Sequence, residues 1–329
     1  MISPSDFIHL PYTPDLTLGG IAWALNSLPQ AYAYQRTAGS PYERLRRAVA
    51  SAAVELTFRR YLAKQDIPFE VKGAAPFTEP DRYDVMLGGR RCDIKTFLIS
   101  HRDHISQIGR DPQILLESPA LVPSDEHAGA GHSQNDLYIF AFLSGWLAPA
   151  RAEQEKVLET EQPHYLVHVM PGPWSRPPAW SPLGKLVVKS ESEEPQTIEL
   201  TGQDRARMLR TCTVELPAKR RIELEIDLFS LTYLHAMCRP DRRIGIYSPT
   251  LQETHLIGPA DWGNIWVYGL DVVLTGYMAH EEFSRRASFV PAGTPVSASA
   301  YTQVKSLAVP VSDLRPLSEL FERVKIWNA

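Results

Sequence analysis

Three ionisable residues, Asp84, Asp93 and Lys95, lie around a Gly88-Gly89 pair. Two short strand-like runs flank the glycines, and this pattern is typical of a tight hairpin. A two-residue loop places Asp84 directly opposite Asp93. Because side chains alternate along a strand, Lys95 shares a face with Asp93. The sequence therefore predicts two carboxylates and one ammonium group at one place on a hairpin.

Two opposed carboxylates need something to neutralise them. Directly opposed positions in a hairpin have Cβ atoms about 4.5–5.5 Å apart, and like charges there destabilise the sheet. A divalent cation bound between Asp84 and Asp93 would remove the repulsion. The simpler alternative is a pair of solvated charges on an edge hairpin, with Lys95 in an ordinary cross-strand ion pair.

The order of these residues has a known counterpart. Asp84 followed by Asp93-Ile94-Lys95 resembles the motif of the PD-(D/E)XK nuclease superfamily, which includes many restriction endonucleases and repair nucleases. Tyr83 stands in place of the proline that usually precedes the first aspartate. The matching segment is short, so the elements around it have to support the resemblance.

The elements upstream of the hairpin fit that superfamily. Ser40-Pro41-Tyr42-Glu43 predicts a capped helix start, and apolar residues at helical spacing extend the helix to Lys64. Glu55 lies at the margin of the apolar stripe, where a carboxylate can lean over an adjacent sheet. Phe69–Val71 is a predicted strand. A helix with a glutamate, a strand, the Asp84 strand and the Asp93 strand follow one another as in the superfamily core.

The resemblance implies both a fold and a mechanism. The fold is a restriction-endonuclease-like core of the α+β or α/β class, a mixed sheet flanked by helices. Asp84 and Asp93 would bind Mg²⁺, for which Mn²⁺ can substitute, and the Ile94 backbone carbonyl and Glu55, directly or through water, would be further ligands. Lys95 would orient or help deprotonate the attacking water and offset charge on the phosphate.

The distribution of charge also bears on a nucleic-acid substrate. The net charge is −4, but residues 36–110 contain fourteen Lys and Arg against nine Asp and Glu. Positive charge of this kind is what phosphate contact requires. Arginines placed on a helix surface for solubility are the alternative. The residues concerned are Arg44, Arg46, Arg47, Arg59, Arg60, Arg90 and Arg91.

Composition indicates a cytoplasmic enzyme without a membrane partner. Three widely spaced cysteines argue against a disulfide framework or a zinc site. The first residues show neither a basic end nor an apolar run, so no secretory signal is predicted. The most apolar window, Tyr138–Leu147, is too short to span a bilayer and predicts a buried strand.

The chain divides into three segments that differ in composition and predicted secondary structure. Residues 1–149 carry the nuclease core, with its helix and Asp hairpin. Residues 150–261 show strand-like runs between Pro- and Ser-rich breaks and predict a β-rich module, a sandwich or small barrel, for recognition or dimerisation. Residues 262–329 supply strands and helices that close the core, so the β-rich module is expected to be an insertion. In this segment Leu274–Met278 resembles a closing strand that pairs with Asp136–Leu143.

Histidines near the hairpin are weaker candidates for a functional role than the aspartates and Lys95. The polar, glycine-rich segment 124–135 predicts a loop that could close over substrate. His127 and His132 in this segment could ligate a metal, although histidines of an ordinary surface loop are the simpler interpretation. His101 and His104 could touch phosphate, but two histidines three residues apart are more often incidental.

The sequence thus predicts a metal-dependent endonuclease that hydrolyses phosphodiester bonds in DNA. The resemblance suggests a role in restriction or phage defence. A twofold homodimer is expected if both strands are cut at a symmetric site. Two alternatives remain: an RNA-cutting or repair nuclease, and a non-catalytic nucleic-acid-binding or assembly protein on a nuclease scaffold.

Overall fold

The structure is a computed structural model that describes residues 2–34, 39–71, 85–129, 133–297 and 300–327. The chain forms two compact units. The first unit combines Met1–Leu147 with Val267–Ala329, and the second unit is Ala148–Trp266. The sequence predicted the corresponding limits at residues 150 and 261.

The elements follow one another along the chain as follows. Residues before 148 form β1 (Ile8–Pro11), α1 (Pro14–Tyr34), α2 (Pro41–Lys64), β2 (Val85–Leu87), β3 (Arg90–Ile99), α3 (Arg102–Arg110), α4 (Ile114–Glu117), β4 (Pro119–Pro123), α5 (Ser124–His127) and β5 (Leu137–Trp146). The second unit contains α6 (Arg151–Glu159), β6 (Leu166–Val169), α7 (Gly172–Ser175), β7 (Val187–Ser190), β8 (Gln196–Gln203), β9 (Leu209–Leu216), β10 (Arg221–Glu223), β11 (Ser230–Ala236), β12 (Ile244–Ser248), β13 (Glu253–Ile257) and β14 (Gly263–Asn264). Residues after 266 form β15 (Tyr268–Ala279), α8 (His280–Arg286), β16 (Ser288–Val290), β17 (Pro295–Ser297), β18 (Ala300–Tyr301), β19 (Ser306–Pro310) and α9 (Leu317–Trp327).

The first unit is built on a mixed five-stranded sheet of order β1-β15-β5-β3-β2. Strands β3 and β5 run parallel, and the other neighbours are antiparallel. The predicted strand in the apolar window is confirmed, since β5 is buried along almost its whole length. A strand buried on both faces reads as a continuous apolar run, which is why the sequence pattern was clear. The unit is therefore of the mixed α+β kind that the sequence predicted.

Helix α2 begins and ends where the sequence predicted. The Ser40 hydroxyl accepts a hydrogen bond from the Glu43 backbone at 3.2 Å, and the Glu43 carboxylate accepts one from the Ser40 backbone at 2.8 Å. This reciprocal pair satisfies two backbone donors that the first helical turn leaves without partners. Its buried apolar residues include Leu45, Val49, Ala52, Ala53, Phe58 and Leu62. The helix is thus fixed by a cap at one end and by its apolar face along its length.

The hairpin between β2 and β3 is also confirmed. Gly88 and Gly89 have φ angles of 54° and 74°, and two successive positive φ values are what a type I′ turn requires. Leu87 pairs with Arg90, as predicted from a two-residue loop. The glycines therefore set the register of β3 and decide which of its side chains share a face.

The structure describes the strand before the turn only from Val85, and the strand predicted ahead of this hairpin is reduced to a bridge. Val85 pairs with Cys92 as the last described pair of the ladder. Asp84 lies outside the described residues. In place of a strand at Phe69–Val71, Glu70 forms an isolated antiparallel bridge to Met86, with backbone hydrogen bonds of 3.0 and 2.8 Å.

The predicted pairing of the closing strand is confirmed. Strand β15 pairs antiparallel with β5, and Leu274 lies opposite Ala141. A bulge follows at Gly276, where a Cβ atom would approach the Arg315 carbonyl oxygen to 2.7 Å. The adjacent residue, Tyr277, exchanges backbone hydrogen bonds with Arg315 at 3.0 and 2.9 Å. Glycine is needed at this bulge because the chain leading to α9 passes so close.

The second unit contains two antiparallel sheets around one apolar core. One sheet has the order β10-β7-β12-β13 and the other β14-β6-β11-β8-β9. Residues of both sheets, such as Val188 and Leu200, belong to the same buried cluster. Strand β11 is central and fully buried, yet the sequence did not predict it, because Ser230, Thr232 and His235 interrupt its apolar residues.

None of the helices in the described parts of the chain combines the length and apolarity that a membrane crossing requires.

Candidate functional site

Asp93 and Lys95 lie on the same face of β3, the strand between β5 and β2 in the sheet of the first unit. The strand alternates, with Cys92 and Ile94 buried on its other face. The Lys95 ammonium group contacts the Asp93 carboxylate, with 2.8 Å between Nζ and Oδ2. Only 11% of the Lys95 side chain is exposed. The structure therefore brings two of the predicted site residues into contact, with the Lys95 ammonium group largely shielded from solvent.

A third ionisable residue completes this group and was missed by the sequence. The Glu126 Oε2 atom lies 2.5 Å from the Lys95 Nζ atom. Glu126 belongs to α5, a single helical turn within the segment predicted to be a loop. No local pattern links two residues 31 positions apart, so only tertiary structure could reveal this contact.

The two carboxylates keep Lys95 charged. Burial lowers the pKa of the Lys95 ammonium, but the charges of Asp93 and Glu126 and their hydrogen bonds raise it, and the net shift is upward. A lysine in this state can donate hydrogen bonds to water or to a phosphate oxygen, but it cannot accept a proton. This environment favours the ammonium form of Lys95, which suits orientation of the attacking water, the first of the two roles that the resemblance implies.

The Tyr138 ring lies beside the cluster of Asp93, Lys95 and Glu126. Tyr138 lies on β5, pairs with Asp93 in the parallel ladder and is buried. Its ring centroid is 5.7 Å from the Lys95 Nζ atom. Burial raises the pKa of the Tyr138 phenol, which Lys95 lowers and the neighbouring carboxylates raise further. The phenol therefore stays protonated and can act as a hydrogen-bond donor.

His127 is held on several sides next to Glu126. Its Nδ1 atom lies 3.0 Å from the Tyr138 hydroxyl, and its Nε2 atom lies 3.0 Å from the Ser284 hydroxyl. Ser284 donates its own proton to the His280 carbonyl at 2.8 Å, so the His127 Nε2–H donates to Ser284. The ring also stacks on His280, with centroids 4.4 Å apart and 12° between the planes. These contacts fix the end of α5, and His127 is thus a structural neighbour of the site.

The other predicted site residues are placed as follows. Glu55 is 18% exposed, at the border of the core as predicted, and forms an ion pair with Arg59 one turn further along α2. Ile94 is buried and pairs with Ile139 of β5. Asp84 and His132 lie outside the described residues.

The two other histidines considered in the sequence, His101 and His104, contact each other in the described structure. The rings of His101 and His104 lie 6.4 Å apart in an edge-to-face arrangement at the start of α3. His104 is half-buried, and more than half of the His101 side chain is exposed. The described contacts of this pair are therefore those of an ordinary helix start.

Several of the arginines expected to contact phosphate already have partners. Arg46 is only 5% exposed. Arg60 forms an ion pair with Asp15, and Arg44 donates to the Gly39 carbonyl at 2.6 Å. Part of the positive charge counted in the sequence is therefore used within the fold.

The described residues offer two carboxylates for a hard cation. Across the ranges that the structure describes, no group of three or more His, Cys, Asp or Glu side chains has the geometry to hold a metal ion. Asp93 and Glu126 nevertheless contact one ammonium group, so their oxygen atoms lie no further apart than the sum of those two contacts. Carboxylate oxygens are the ligands that Mg²⁺ prefers, and one or two of them often suffice.

Comparison with known proteins adds no family. No protein-family model matches the chain, and neither does any curated protein or any solved structure. The chemistry of the site therefore has to be argued from its own residues.

Proposed function

We propose that the protein is a metal-dependent endonuclease with a restriction-endonuclease-like core, acting on phosphodiester bonds in DNA. The observation that carries the proposal is the buried, charged Lys95 beside Asp93 on β3, a strand that follows a glycine hairpin and runs parallel to β5. A charged lysine held beside a carboxylate in this way is costly to bury, and such groups cluster at functional sites.

The arrangement of elements supports the same proposal. Helix α2 with Glu55, the hairpin with Asp93, a helical segment and the parallel strand β5 follow in the order expected of that core. Strand β15 then closes the sheet against β5. We assign recognition or dimerisation to the second unit, and a role in restriction or phage defence is part of the proposal.

The proposed metal is Mg²⁺, which Mn²⁺ can replace. Asp84, Asp93, the Ile94 carbonyl and Glu55, directly or through water, are its proposed ligands. A bound divalent cation lowers the pKa of water and neutralises charge on a phosphate. Lys95, as an ammonium group, donates hydrogen bonds to the attacking water or to a phosphate oxygen. Tyr138 excludes water from one side of the ammonium group.

Asp93→Ala is the variant that tests this proposal. Purified protein is incubated at low salt with plasmid, phage and modified genomic DNA, with Mg²⁺, with Mn²⁺ and with chelator. We expect metal-dependent cleavage by the wild type and by Asp103→Ala, whose exposed carboxylate lies on α3. We expect none from Asp93→Ala. Cleavage by Asp93→Ala at the wild-type rate would refute the assignment of Asp93.

A non-catalytic role is the rival function, and one observation favours it. Lys95 already has two carboxylate partners, so its charge is balanced within the chain. A protein that binds DNA with salt-dependent affinity but cuts no DNA or RNA under any metal condition would fit this rival. Cleavage of RNA alone would instead indicate the RNA-cutting alternative.

A further inference from the structure

Among the described residues, two carboxylates contact the Lys95 ammonium group. Asp93 contacts it from the same strand, and Glu126 contacts it from α5. An ammonium group carries three donors arranged around the Cε–Nζ bond. When two of them are bound on different sides, rotation about that bond stops, and the third N–H has a set direction. Asp93 alone holds the group less firmly, because a long side chain with one hydrogen bond can still move about its other torsions, whereas a second carboxylate from another segment restricts them.

Helix α5 needs outside support to keep Glu126 in this place. A single helical turn is not stable alone, because nucleation costs more than one hydrogen bond returns. At its start, the Ser124 backbone donates to the Lys305 carbonyl at 3.0 Å. At its end, His127 is held by Tyr138, Ser284 and His280. Glu126 thus lies between two anchored residues, although 55% of its own side chain is exposed.

From these contacts we propose that Glu126 is a positioning residue: it fixes the direction of the Lys95 ammonium group, and His127 in turn fixes Glu126. The inference rests on the proposed nuclease function, because the third N–H, which contacts no carboxylate in the part of the chain that the structure describes, would be the donor to the attacking water or a phosphate oxygen. Preorganised donors of this kind need no rearrangement when the reaction occurs. The sequence segment that supplies Glu126 has no part in the resemblance to the PD-(D/E)XK motif.

The first test measures how far Glu126 protects Lys95 from chemical labelling and needs no nuclease assay. Wild type, Glu126→Gln and Glu117→Gln are labelled with a lysine-acylating reagent across a range of pH, and the Lys95 peptide is quantified by mass spectrometry. Glutamine keeps the size of the side chain but removes the charge, so Lys95 loses one of the two carboxylates that hold its ammonium group. We expect the Lys95 peptide to be labelled faster in Glu126→Gln than in the wild type at every pH tested. Glu117 is exposed on α4, and its substitution should change nothing.

The second test measures the effect of Glu126 on kcat and KM for cleavage. On the DNA that the wild type cuts best, Glu126→Gln should lower kcat by about ten- to hundredfold. This is the loss typical of residues that orient another functional side chain without contacting the substrate. KM should change less, because Glu126 does not itself bind substrate. Glu126→Asp keeps the charge and should restore part of the lost kcat. Glu117→Gln should retain wild-type kcat.

The outcomes separate this inference from the proposed function. Faster labelling together with a lower kcat in Glu126→Gln supports positioning. Unchanged labelling overturns the inference whatever the cleavage assay shows, and faster labelling with unchanged kcat reduces the contact to a structural ion pair and also overturns it. A wild type that cuts no nucleic acid overturns the proposed function and the catalytic purpose of Glu126, while labelling still reports whether the contact exists.

Discussion

The two units treat their buried ionisable groups in opposite ways. In the first unit, Lys95 is held between two carboxylates that raise its pKa and keep it charged. In the second unit, burial lowers the pKa values of His168, His235 and His255, so these rings are kept neutral. One unit maintains a charge inside the fold, and the other avoids it.

The histidines of the second unit have structural partners that suit a neutral ring. His168 on β6 donates from Nδ1 to the Asp261 carbonyl at 3.0 Å, so its Nε2 accepts from His255 Nε2–H at 2.9 Å. Because β6 and β13 belong to different sheets, this bond ties the two sheets together. His235 stacks on Tyr165, with centroids 3.9 Å apart, and contacts Glu199 at 3.0 Å.

The difference indicates where to look for chemistry. A neutral, hydrogen-bonded histidine satisfies its polar atoms and stabilises packing. A buried ion pair gives weak stability for its desolvation cost, so its presence calls for another explanation. The comparison therefore favours the Lys95 group as the functional site and the buried histidines of the second unit as structural.

The largest expected effect comes from Lys95→Met, which removes the charge but keeps an apolar stem. Cleavage should fall by at least about a hundredfold, since a positioned catalytic group contributes that much or more. The free energy of unfolding should fall by about 1–3 kcal/mol, below the 3–5 kcal/mol of a fully buried pair, because Glu126 is more than half exposed. Urea denaturation and the DNA cleavage assay measure the two effects, and metal-dependent DNA binding should remain.

The control for this change is Lys325→Met, at an exposed position near the end of α9. It should leave both cleavage and stability at wild-type values. Full cleavage by Lys95→Met would remove lysine from the mechanism and break the comparison, since the charge retained at Lys95 would then have no catalytic function.

The parts of the site that the sequence could predict are those fixed by local geometry. The glycine pair sets the turn, the turn sets the register, and strand alternation places Asp93 and Lys95 on one face. The Ser40–Glu43 cap and the apolar run of β5 are equally local. Each of these signals depends on residues within a few positions of one another.

The parts that the sequence could not predict depend on contacts between distant segments. Glu126 and Tyr138 reach Lys95 only once α5 and β5 are placed by the sheet. Arg46 carries a charge in the sequence but is buried in the fold, so counting charges overstated the surface available to phosphate. Glu55 lies at the border as predicted, but helical periodicity could not show that it pairs with Arg59.

A second prediction concerns stability against pH in the second unit. The folded-state pKa values of His168 and His255 are lowered, so the unfolded chain binds more protons in mild acid. Their contribution to the free energy of unfolding is complete above the unfolded-state pKa of about 6.5 and is lost as the pH falls below it. Protonated His168 would present a second donor to His255 and break the bond between the sheets. We therefore expect the melting temperature to drop between pH 7.5 and pH 5.

Substitution identifies the groups responsible for that drop. Glutamine at position 255 can still donate to His168 but cannot be protonated, so His255→Gln should show a shallower decline in melting temperature than the wild type. Asp261 and Glu253 face these rings and favour the charged forms, but burial outweighs them. His101→Gln, at an exposed position, should follow the wild-type curve. A curve for His255→Gln as steep as the wild type would show that the acid sensitivity arises elsewhere and that the neutral histidines are not what distinguishes the second unit.

The smallest expected effect sharpens the comparison within the first unit, where Glu55 and Arg59 form another ion pair of charged, partly buried groups. An ion pair between residues four apart on a helix contributes about 0.3–0.5 kcal/mol, so Glu55→Gln and Arg59→Gln should each lower the free energy of unfolding by no more than that.

The effects of Glu55→Gln and Arg59→Gln on cleavage should differ. If Glu55 assists the metal, Glu55→Gln lowers the cleavage rate and raises the Mg²⁺ concentration needed for half-maximal rate, by about tenfold or less, while Arg59→Gln leaves the carboxylate in place and retains activity. Equal cleavage by the two variants and the wild type would show that a retained charge in this unit can be purely structural, and would limit the functional assignment to the charges around Lys95.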